Sequence, residues 1–252
     1  MVKITLPLPA NNKTPRNYYI EELLTSIFAR ENFKLELQYT KARMNQLRMT
    51  KSLINDEFID LTWLPFTTER AQKLLAVEIP LYKGLHGTRL LVINKDNLEK
   101  FEGISTLNQL GHLVGVQHHS WSDYDVLVAN ELRIKGDLSY SGMFKAVSSG
   151  LVDYFPRSAL AIRDELKKNK DSQLIIEPTL VLKYPTYINF FVSKKAPELA
   201  KLIRSGMTKM IADGSFEIIF NKYYGSNLDL LNLAKRQKIE LKNNSIRLQV
   251  TN

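Results

Sequence analysis

One arginine in this sequence has the surroundings of an anion-binding residue. Residues 58–61 are typical of a strand, Pro65 ends that run, and the threonines at 67–68 can cap a helix. Arg70 then lies at the carboxyl end of a strand, which is where ligands bind in open α/β sheets. Its planar guanidinium can hold a carboxylate through two parallel hydrogen bonds. The alternative interpretation is an ordinary solvated ion pair with Glu69.

A second candidate anion site follows the strand predicted over 113–117. Ser120 and Asp123 have the spacing of a capping box, which places Ser120 at the amino terminus of a helix that begins at Trp121. The free backbone amides of such a terminus attract carboxylates and phosphates. The alternative is that Ser120 caps the helix and binds nothing.

Three further side chains are candidates for contact with a ligand. Arg157 follows the strand predicted over 151–155 and could hold a second anionic group, unless its side chain faces solvent. Trp63 and Trp121 could stack on the ring or the aliphatic body of a ligand, although either could instead belong to the core. The sequence leaves these alternatives open.

The histidines and the lack of cysteine argue against a metal site. His118 and His119 are adjacent, so on an extended segment their rings would point in opposite directions and could not bind one ion together. His119 remains a candidate ligand contact because it precedes Ser120. The sequence has no glycine-rich phosphate loop, nucleophile elbow or serine-histidine-acid grouping. We therefore predict no metal, no cofactor and no catalytic residue.

Composition and charge are those of an ordinary globular chain with a basic balance. The 252 residues are 44% apolar, which is enough for one large domain or two lobes, and the formal net charge is +9. Lysines and arginines are scattered and not interleaved with aromatic residues, so we predict no nucleic-acid binding. No apolar run is long enough to span a bilayer, and the amino terminus shows no secretory signal. Because cysteine is absent, the redox compartment stays open.

The order of predicted elements favours an α/β fold. The first part of the chain alternates strands over 4–8, 35–39 and 58–61 with helices after Thr14, over 42–54 and over 69–77. This order predicts a mainly parallel sheet with helices on both faces. The same alternation begins again at residue 113, which predicts a second unit. A polar tail follows residue 225.

Several short motifs, taken in order, resemble one family. They are Thr68–Arg70, Pro80–Tyr82, Leu90–Asn94, Val114–Val116, Ser149–Asp153, Asp213–Phe216 and Asn221–Tyr224. In order and spacing they look like bacterial extracellular solute-binding proteins of family 3, which serve ABC transporters of polar amino acids or act as sensor modules. The resemblance covers residues 1 to about 225.

The resemblance implies a two-lobed, periplasmic-binding-protein-like α/β fold of type II. Lobe 1 would consist of residues 1–93 and 186–225, and lobe 2 of residues 94–185, each a mainly parallel sheet flanked by helices. Two hinge strands, within 90–95 and 184–190, would join the lobes, and the ligand would lie in the cleft. The tail, 226–252, would pack on lobe 1 or stay extended.

The resemblance also implies roles for the candidate residues. Arg70 matches the arginine that binds the ligand α-carboxylate, Ser120 matches a lobe 2 hydroxyl that helps hold it, and Thr62 belongs to the loop, 62–65, that lines the pocket. One position departs from the family. Ser158 stands where amino-acid binders usually carry an aspartate for the ligand ammonium, and an unpaired buried ammonium costs about 1–3 kcal/mol or more. We therefore expect a carboxylated or anionic solute other than an ordinary zwitterionic amino acid.

The function implied is noncatalytic capture of a small solute in the periplasm for an ABC permease or a membrane sensor, by a monomer that does not span the membrane. Two alternatives stay open. The first is an enzyme on the same scaffold, similar to a dehydratase or to proteins with a lytic domain, because fold does not determine function. The second is a degenerate module that acts through partner contacts.

Overall fold

The computed structural model describes residues 1–9 and 14–246 and divides the chain into two units. Unit 1 contains Met1–Lys83, Tyr187–Ser226 and the described residues from Ser245 onward. Unit 2 contains Gly84–Thr186 and Asn227–Asn244. The chain therefore passes from one unit to the other after residues 83, 186, 226 and 244.

Helices and strands alternate along both units. The helices are α1 (Pro15–Arg30), α2 (Gln46–Asn55), α3 (Thr68–Lys73), α4 (Leu107–Leu110), α5 (Ser122–Ala129), α6 (Tyr140–Ser148), α7 (Ile162–Asn169), α8 (Pro197–Ala212) and α9 (Ser215–Asp229). The strands are β1 (Val2–Leu8), β2 (Leu35–Arg43), β3 (Leu61–Pro65), β4 (Leu75–Val77), β5 (Thr88–Asn94), β6 (Val114–Val116), β7 (Arg133–Lys135), β8 (Tyr154–Ser158), β9 (Leu174–Ile176), β10 (Leu180–Lys183), β11 (Ile188–Val192) and β12 (Gln237–Glu240). Short 3-10 turns lie at Leu85–Gly87, Lys95–Phe101 and Leu233–Lys235.

The first helix forms as its sequence predicts. Pro15 is its first residue, and the backbone amide of Thr14, just before it, donates a hydrogen bond to Asn17 Oδ1 at 3.1 Å. The apolar residues at helical spacing are buried: Ile20, Leu23, Leu24, Ile27 and Phe28. Helical periodicity alone was sufficient to identify this face.

Unit 1 contains two sheets. Strands β1 and β2 pair in parallel, and β11 lies between β3 and β4, antiparallel to both. Pairing with β11 also explains why the helix predicted over 69–77 is wrong in its second half. That helix ends at Lys73, and Val77 on β4 pairs with Phe190, because a buried partner strand overrides local helix preference.

Unit 2 is built around β5, all of whose residues are buried. Its sheet has the order β12-β10-β5-β8-β6-β7, with β9 also paired to β5. Strand β5 runs antiparallel to its neighbours, whereas β6 runs parallel to β7 and β8. Alternate residues of β5 enter the cores on the two faces, Leu90 and Val92 on one side and Leu91 and Ile93 on the other. The mixture of paired strands and flanking helices confirms the predicted α/β class.

The unit boundaries differ from the predicted lobe boundaries. Because β5 pairs with β8, β9 and β10, the chain enters unit 2 before β5, after residue 83, and not within the hinge strand predicted at 90–95. No helix among the described residues has the length and apolarity required to cross a membrane.

The predicted position of the tail is also corrected. Residues 227–244 belong to unit 2, where β12 pairs in parallel with β10. Leu231, Ile239 and Leu241 are buried there, so the few apolar residues of this polar segment complete the core of unit 2. Ser245 and Ile246 belong to unit 1, where the Ser245 carbonyl accepts a hydrogen bond from the Thr68 amide at 3.5 Å, and residues 247–252 lie outside the described part of the chain.

Candidate functional site

Helix α3 of unit 1 positions Arg70. Thr67 caps this helix, and its hydroxyl accepts a hydrogen bond from the Arg70 backbone amide at 3.1 Å. The guanidinium donates to the backbone carbonyl of Pro65 and, through Nε, to the hydroxyl of Thr50 at 3.4 Å. Its Cζ lies 5.8 Å from the centroid of the Phe191 ring. The side chain is therefore held by neutral groups and by an aromatic face.

The charge of Arg70 has no anionic partner among the described residues. Its neighbour Glu69 instead pairs with Lys73, one helical turn away, at 2.6 Å. The ion pair of Arg70 with Glu69, which was the alternative interpretation, is not formed. Partial burial lowers the pKa of Arg70 from its usual value, while the nearby charge of Glu69 opposes that shift. Arg70 is thus a partly desolvated cation with no counter-ion among the residues of unit 1 that the structure describes.

The two residues predicted on a pocket-lining loop lie on a strand instead. Thr62 and Trp63 belong to β3, where they pair with Phe191 and Phe190 of β11, and this pairing extends the strand to Pro65. Thr62 is buried, and its hydroxyl contacts the Met49 sulfur at 3.4 Å, so the prediction that Thr62 lies on a ligand-facing loop is wrong. Trp63, the next residue, is partly exposed.

Ser120 of unit 2 does not cap a helix. Residue Trp121 occupies the N-cap position of α5 and makes no capping hydrogen bond through its side chain. The hydroxyl of Ser120 lies 2.7 Å from Nδ1 of His118, because the chain turns here and the Trp121 amide bonds to the His118 carbonyl at 3.0 Å. The predicted capping box is therefore wrong, and Ser120 is an exposed hydroxyl on a turn.

The same turn brings the two neighbouring histidines together. The rings of His118 and His119 are stacked with centroids 4.6 Å apart, and Nδ1 of His119 lies 3.0 Å from the Gly136 carbonyl oxygen. The prediction that these rings point in opposite directions is wrong, since it assumed an extended chain. Among the described residues, no three histidines or carboxylates are grouped as a metal site would require.

Arg157 is already paired. It lies on β8, and its guanidinium donates to both carboxylate oxygens of Glu165, at 2.7 Å from Nε and 2.5 Å from the terminal nitrogen. The Arg157 Cζ also lies 5.2 Å from the ring centroid of Trp121, 5.5 Å from that of Tyr140 and 4.6 Å from that of Phe155. Its side chain is only 12% exposed. The prediction of a second free cation is corrected, because the bidentate pair occupies the guanidinium fork.

Ser158 lies next to Arg157 in sequence but on the other face of the sheet. It is buried opposite Arg89 of β5, and its hydroxyl accepts a hydrogen bond from the Leu160 amide at 3.3 Å. The position at which the resemblance calls for an aspartate is therefore occupied by a neutral, buried hydroxyl.

Sequence reasoning missed a buried polar network that adjoins these residues. The Arg89 guanidinium donates to Asp123 Oδ1 at 2.7 Å and to the Tyr184 hydroxyl at 2.8 Å, and that hydroxyl donates to the same Asp123 oxygen at 2.5 Å. Burial alone would raise the pKa of Asp123, but the charge of Arg89 and the Tyr184 hydroxyl hold it below its usual range. The sequence feature that could have indicated this network is Arg89, a charged residue near the start of the apolar strand β5.

No protein-family model and no curated protein matches this chain. Comparison with solved structures finds chains of similar fold. Substrate-binding domain 2 of Lactococcus lactis GlnP, in an open conformation, is 17% identical with a TM-score of 0.60, covering 88% of this chain and 95% of the other. A Wolinella succinogenes protein described as the binding component of an ABC transporter, complexed with lysine, is 15% identical with a TM-score of 0.63 and the same coverage.

A third solved structure is an ancestral amino-acid-binding protein described as a precursor of cyclohexadienyl dehydratase. It is 14% identical with a TM-score of 0.61, covering 88% of this chain and 95% of the other. At such identities the likeness is one of fold. Together with the two units of mixed α/β structure, it confirms the predicted fold class: this chain has a periplasmic-binding-protein-like α/β fold.

Proposed function

We propose that this protein is a noncatalytic solute-binding protein that captures a small carboxylated or otherwise anionic solute. The observation that carries this proposal is Arg70, a partly buried guanidinium with no anionic partner among the described residues. A bidentate bond to a carboxylate would exchange the neutral acceptors of Arg70 for charged ones, and each charge-assisted bond contributes about 1.5–3 kcal/mol.

The environment of the unit 2 candidates supports a solute without an α-ammonium group. Ser158 is neutral. The carboxylates nearby already form ion pairs, Glu165 with Arg157 and Asp123 with Arg89. An ammonium placed at this position would meet no free negative charge from these groups. We therefore propose a solute whose recognition depends on its anionic group.

The proposed setting is that of a transport or sensing system. One solved protein of this fold is described as the binding component of an ABC transporter. We propose that this chain likewise presents its solute to an ABC-type permease or a membrane sensor, outside the cytoplasmic membrane. This part of the proposal rests on likeness of fold and on the family resemblance of the motifs.

Removal of the Arg70 side chain is expected to abolish most of the affinity for the solute. Isothermal titration calorimetry against a panel of mono- and dicarboxylates, keto acids and amino acids first identifies a binder. The Arg70→Ala variant should then bind it at least about 100-fold more weakly, since two charge-assisted bonds are lost. Arg70→Lys should recover only part of the affinity, because an ammonium cannot form the bidentate bond.

The matched control is Arg48→Ala, which removes an exposed arginine of the same unit from α2. It should leave the affinity unchanged. Equal affinities of the Arg70→Ala variant and the wild type would refute the proposed site. Mass spectrometry of the ligand recovered after incubation should show an unchanged mass, and a new product would show that the protein is an enzyme.

Pairs of ligands that differ only in the α-amino group test the finer claim. An α-amino acid should bind no more tightly than the acid that has hydrogen in place of its amino group, because the ammonium must be desolvated without a partner at Ser158. Competition titration of each pair measures the ratio of dissociation constants. A preference of 10-fold or more for the amino acid would show that an ammonium-binding group exists elsewhere.

A further inference from the structure

The network of Arg89, Asp123 and Tyr184 joins three separate segments of unit 2. Arg89 lies on β5, Asp123 on the first turn of α5, and Tyr184 just after β10. Each of the three groups bonds to both others, at 2.7, 2.8 and 2.5 Å. Side-chain exposure is 5% for Arg89 and 18% for Asp123, so the ion pair is largely shielded from water.

Such a buried pair is not needed for stability as such. Desolvation of two charges offsets most of their attraction, and well-packed apolar residues often stabilise a core equally well. Unlike apolar packing, the charged network favours one relative orientation of the three segments, because its hydrogen bonds are satisfied only in that arrangement.

Two of these segments are the ones by which the chain enters and leaves unit 2. The chain first enters unit 2 at Gly84 and first leaves it after Thr186, and these entry and exit segments are bonded to each other where the Tyr184 amide donates to the Gly87 carbonyl at 3.1 Å. They run so close together that a Cβ on Gly87 would lie 1.9 Å from the Tyr184 carbonyl oxygen. The entry and exit segments are therefore closely packed and hydrogen-bonded to each other within unit 2.

The third segment carries candidate ligand contacts. Helix α5 begins directly after Ser120 and Trp121, and its N-cap residue provides no side-chain hydrogen bond to hold the first turn. The first turn is held instead by the carboxylate of Asp123, which reaches Arg89 and Tyr184. The start of the helix is thus bonded through Asp123 to both the entry and the exit segment.

We propose that Arg89, Asp123 and Tyr184 are positioning residues that orient the start of α5, and with it Ser120 and Trp121, relative to the segments by which the chain enters and leaves unit 2. This inference deepens the proposed function, on which its ligand-binding consequence rests. Its structural part holds without any ligand.

Tyr184→Phe tests the inference with the smallest change in shape, because it removes only the hydroxyl. Its matched control is Tyr154→Phe, which removes a buried tyrosine hydroxyl of the same unit that has no hydrogen-bond partner among the described residues. Hydrogen exchange of the ligand-free protein is the primary measurement. Amides of residues 119–126 should exchange about 5- to 30-fold faster in Tyr184→Phe than in Tyr154→Phe, whereas those of α7 should exchange equally.

A second measurement reports on Trp121 itself. In a Trp63→Phe background Trp121 is the sole tryptophan, so acrylamide quenching of its fluorescence measures its accessibility. Quenching should increase with Tyr184→Phe and not with Tyr154→Phe. Equal exchange and equal quenching in the two variants would overturn the inference, as would faster exchange spread evenly over unit 2, which a purely structural role would produce.

A measurement of ligand affinity in the same variants tests this inference separately from the proposed function. For a carboxylate whose binding requires Arg70, Tyr184→Phe should weaken affinity about 5-fold and Tyr154→Phe should not. If no carboxylate of the panel binds, the proposed function fails, and exchange and quenching still decide the positioning role. If Tyr184→Phe does not fold, Asp123→Asn, which keeps the shape of the carboxylate, is measured in its place.

Discussion

The Asp123→Ala variant is expected to lose about 3–5 kcal/mol of the free energy of unfolding of unit 2, one of the two largest effects predicted for this chain. The substitution leaves the Arg89 guanidinium buried without an anion, and it removes the acceptor of the Tyr184 hydroxyl. Guanidinium chloride denaturation followed by circular dichroism measures the loss. The two units need not unfold together, so the transition that shifts is the one assigned to unit 2.

Two comparisons make this result specific. Asp125→Ala removes an exposed carboxylate from the same helical turn and should change stability little. The triple variant Arg89→Met, Asp123→Leu, Tyr184→Phe replaces the whole network by apolar side chains and should recover most of the loss. A loss as large in the triple variant as in Asp123→Ala would show that packing, and not an unpaired charge, causes the effect.

The same ion pair has a definite pH dependence. Because the folded-state pKa of Asp123 is lowered, its contribution is present above the unfolded-state pKa, about 3.9, and is lost as the pH falls through the lower folded-state pKa. The difference in stability between wild type and Asp123→Ala should therefore be present from about pH 5 to 8, where positive charge on the nearby His86 adds to it, and should shrink below about pH 4. A difference that grew as the pH fell below about 4 would contradict the assignment.

Gly87→Ala is expected to be at least as damaging, with a loss of about 4 kcal/mol or more. The added Cβ would lie 1.9 Å from the carbonyl oxygen of Tyr184, a backbone atom that cannot rotate away. Relief of this clash requires separation of the entry and exit segments of unit 2. Thermal and chemical denaturation measure the loss directly.

Gly103→Ala is the matched control, because it separates a steric clash from an unfavourable dihedral angle. Gly103 has a φ of +73° but no atom within 4 Å of the added Cβ, so only the backbone conformation opposes the substitution. Its cost should be about 1–2 kcal/mol. Equal losses in the two variants would show that the close approach at Gly87 relaxes without strain.

Several features followed from local sequence alone. Helix α1 and its buried face could be predicted because apolar residues at helical spacing must share one side. The helix start that carries Arg70 could be predicted because Thr67 caps it, whereas the strand predicted over 58–61 is found at Leu61–Pro65. Helical periodicity and helix caps act over a few residues, so predictions based on them do not depend on the overall fold.

The errors in the candidate site have a common cause. Ser120 was assigned as a cap from the spacing of a capping box, but the turn at 118–121 directs its hydroxyl to a histidine. For Arg157 the sequence leaves open a ligand contact or a solvent-facing side chain, and it does not predict the pair with Glu165 eight residues further on, because nothing in the strand pattern places α7 against Arg157. In each case a neighbouring group competed for the side chain.

The sequence by itself determined the α/β class, the main elements and the arginine that anchors the proposed site, because periodicity, caps and turn residues act over a few positions. Tertiary structure alone decided which charges are free and which are paired. The partners of the Arg89 network lie 34, 61 and 95 residues apart. Only the folded sheet brings them together, and desolvation then makes their pairing obligatory.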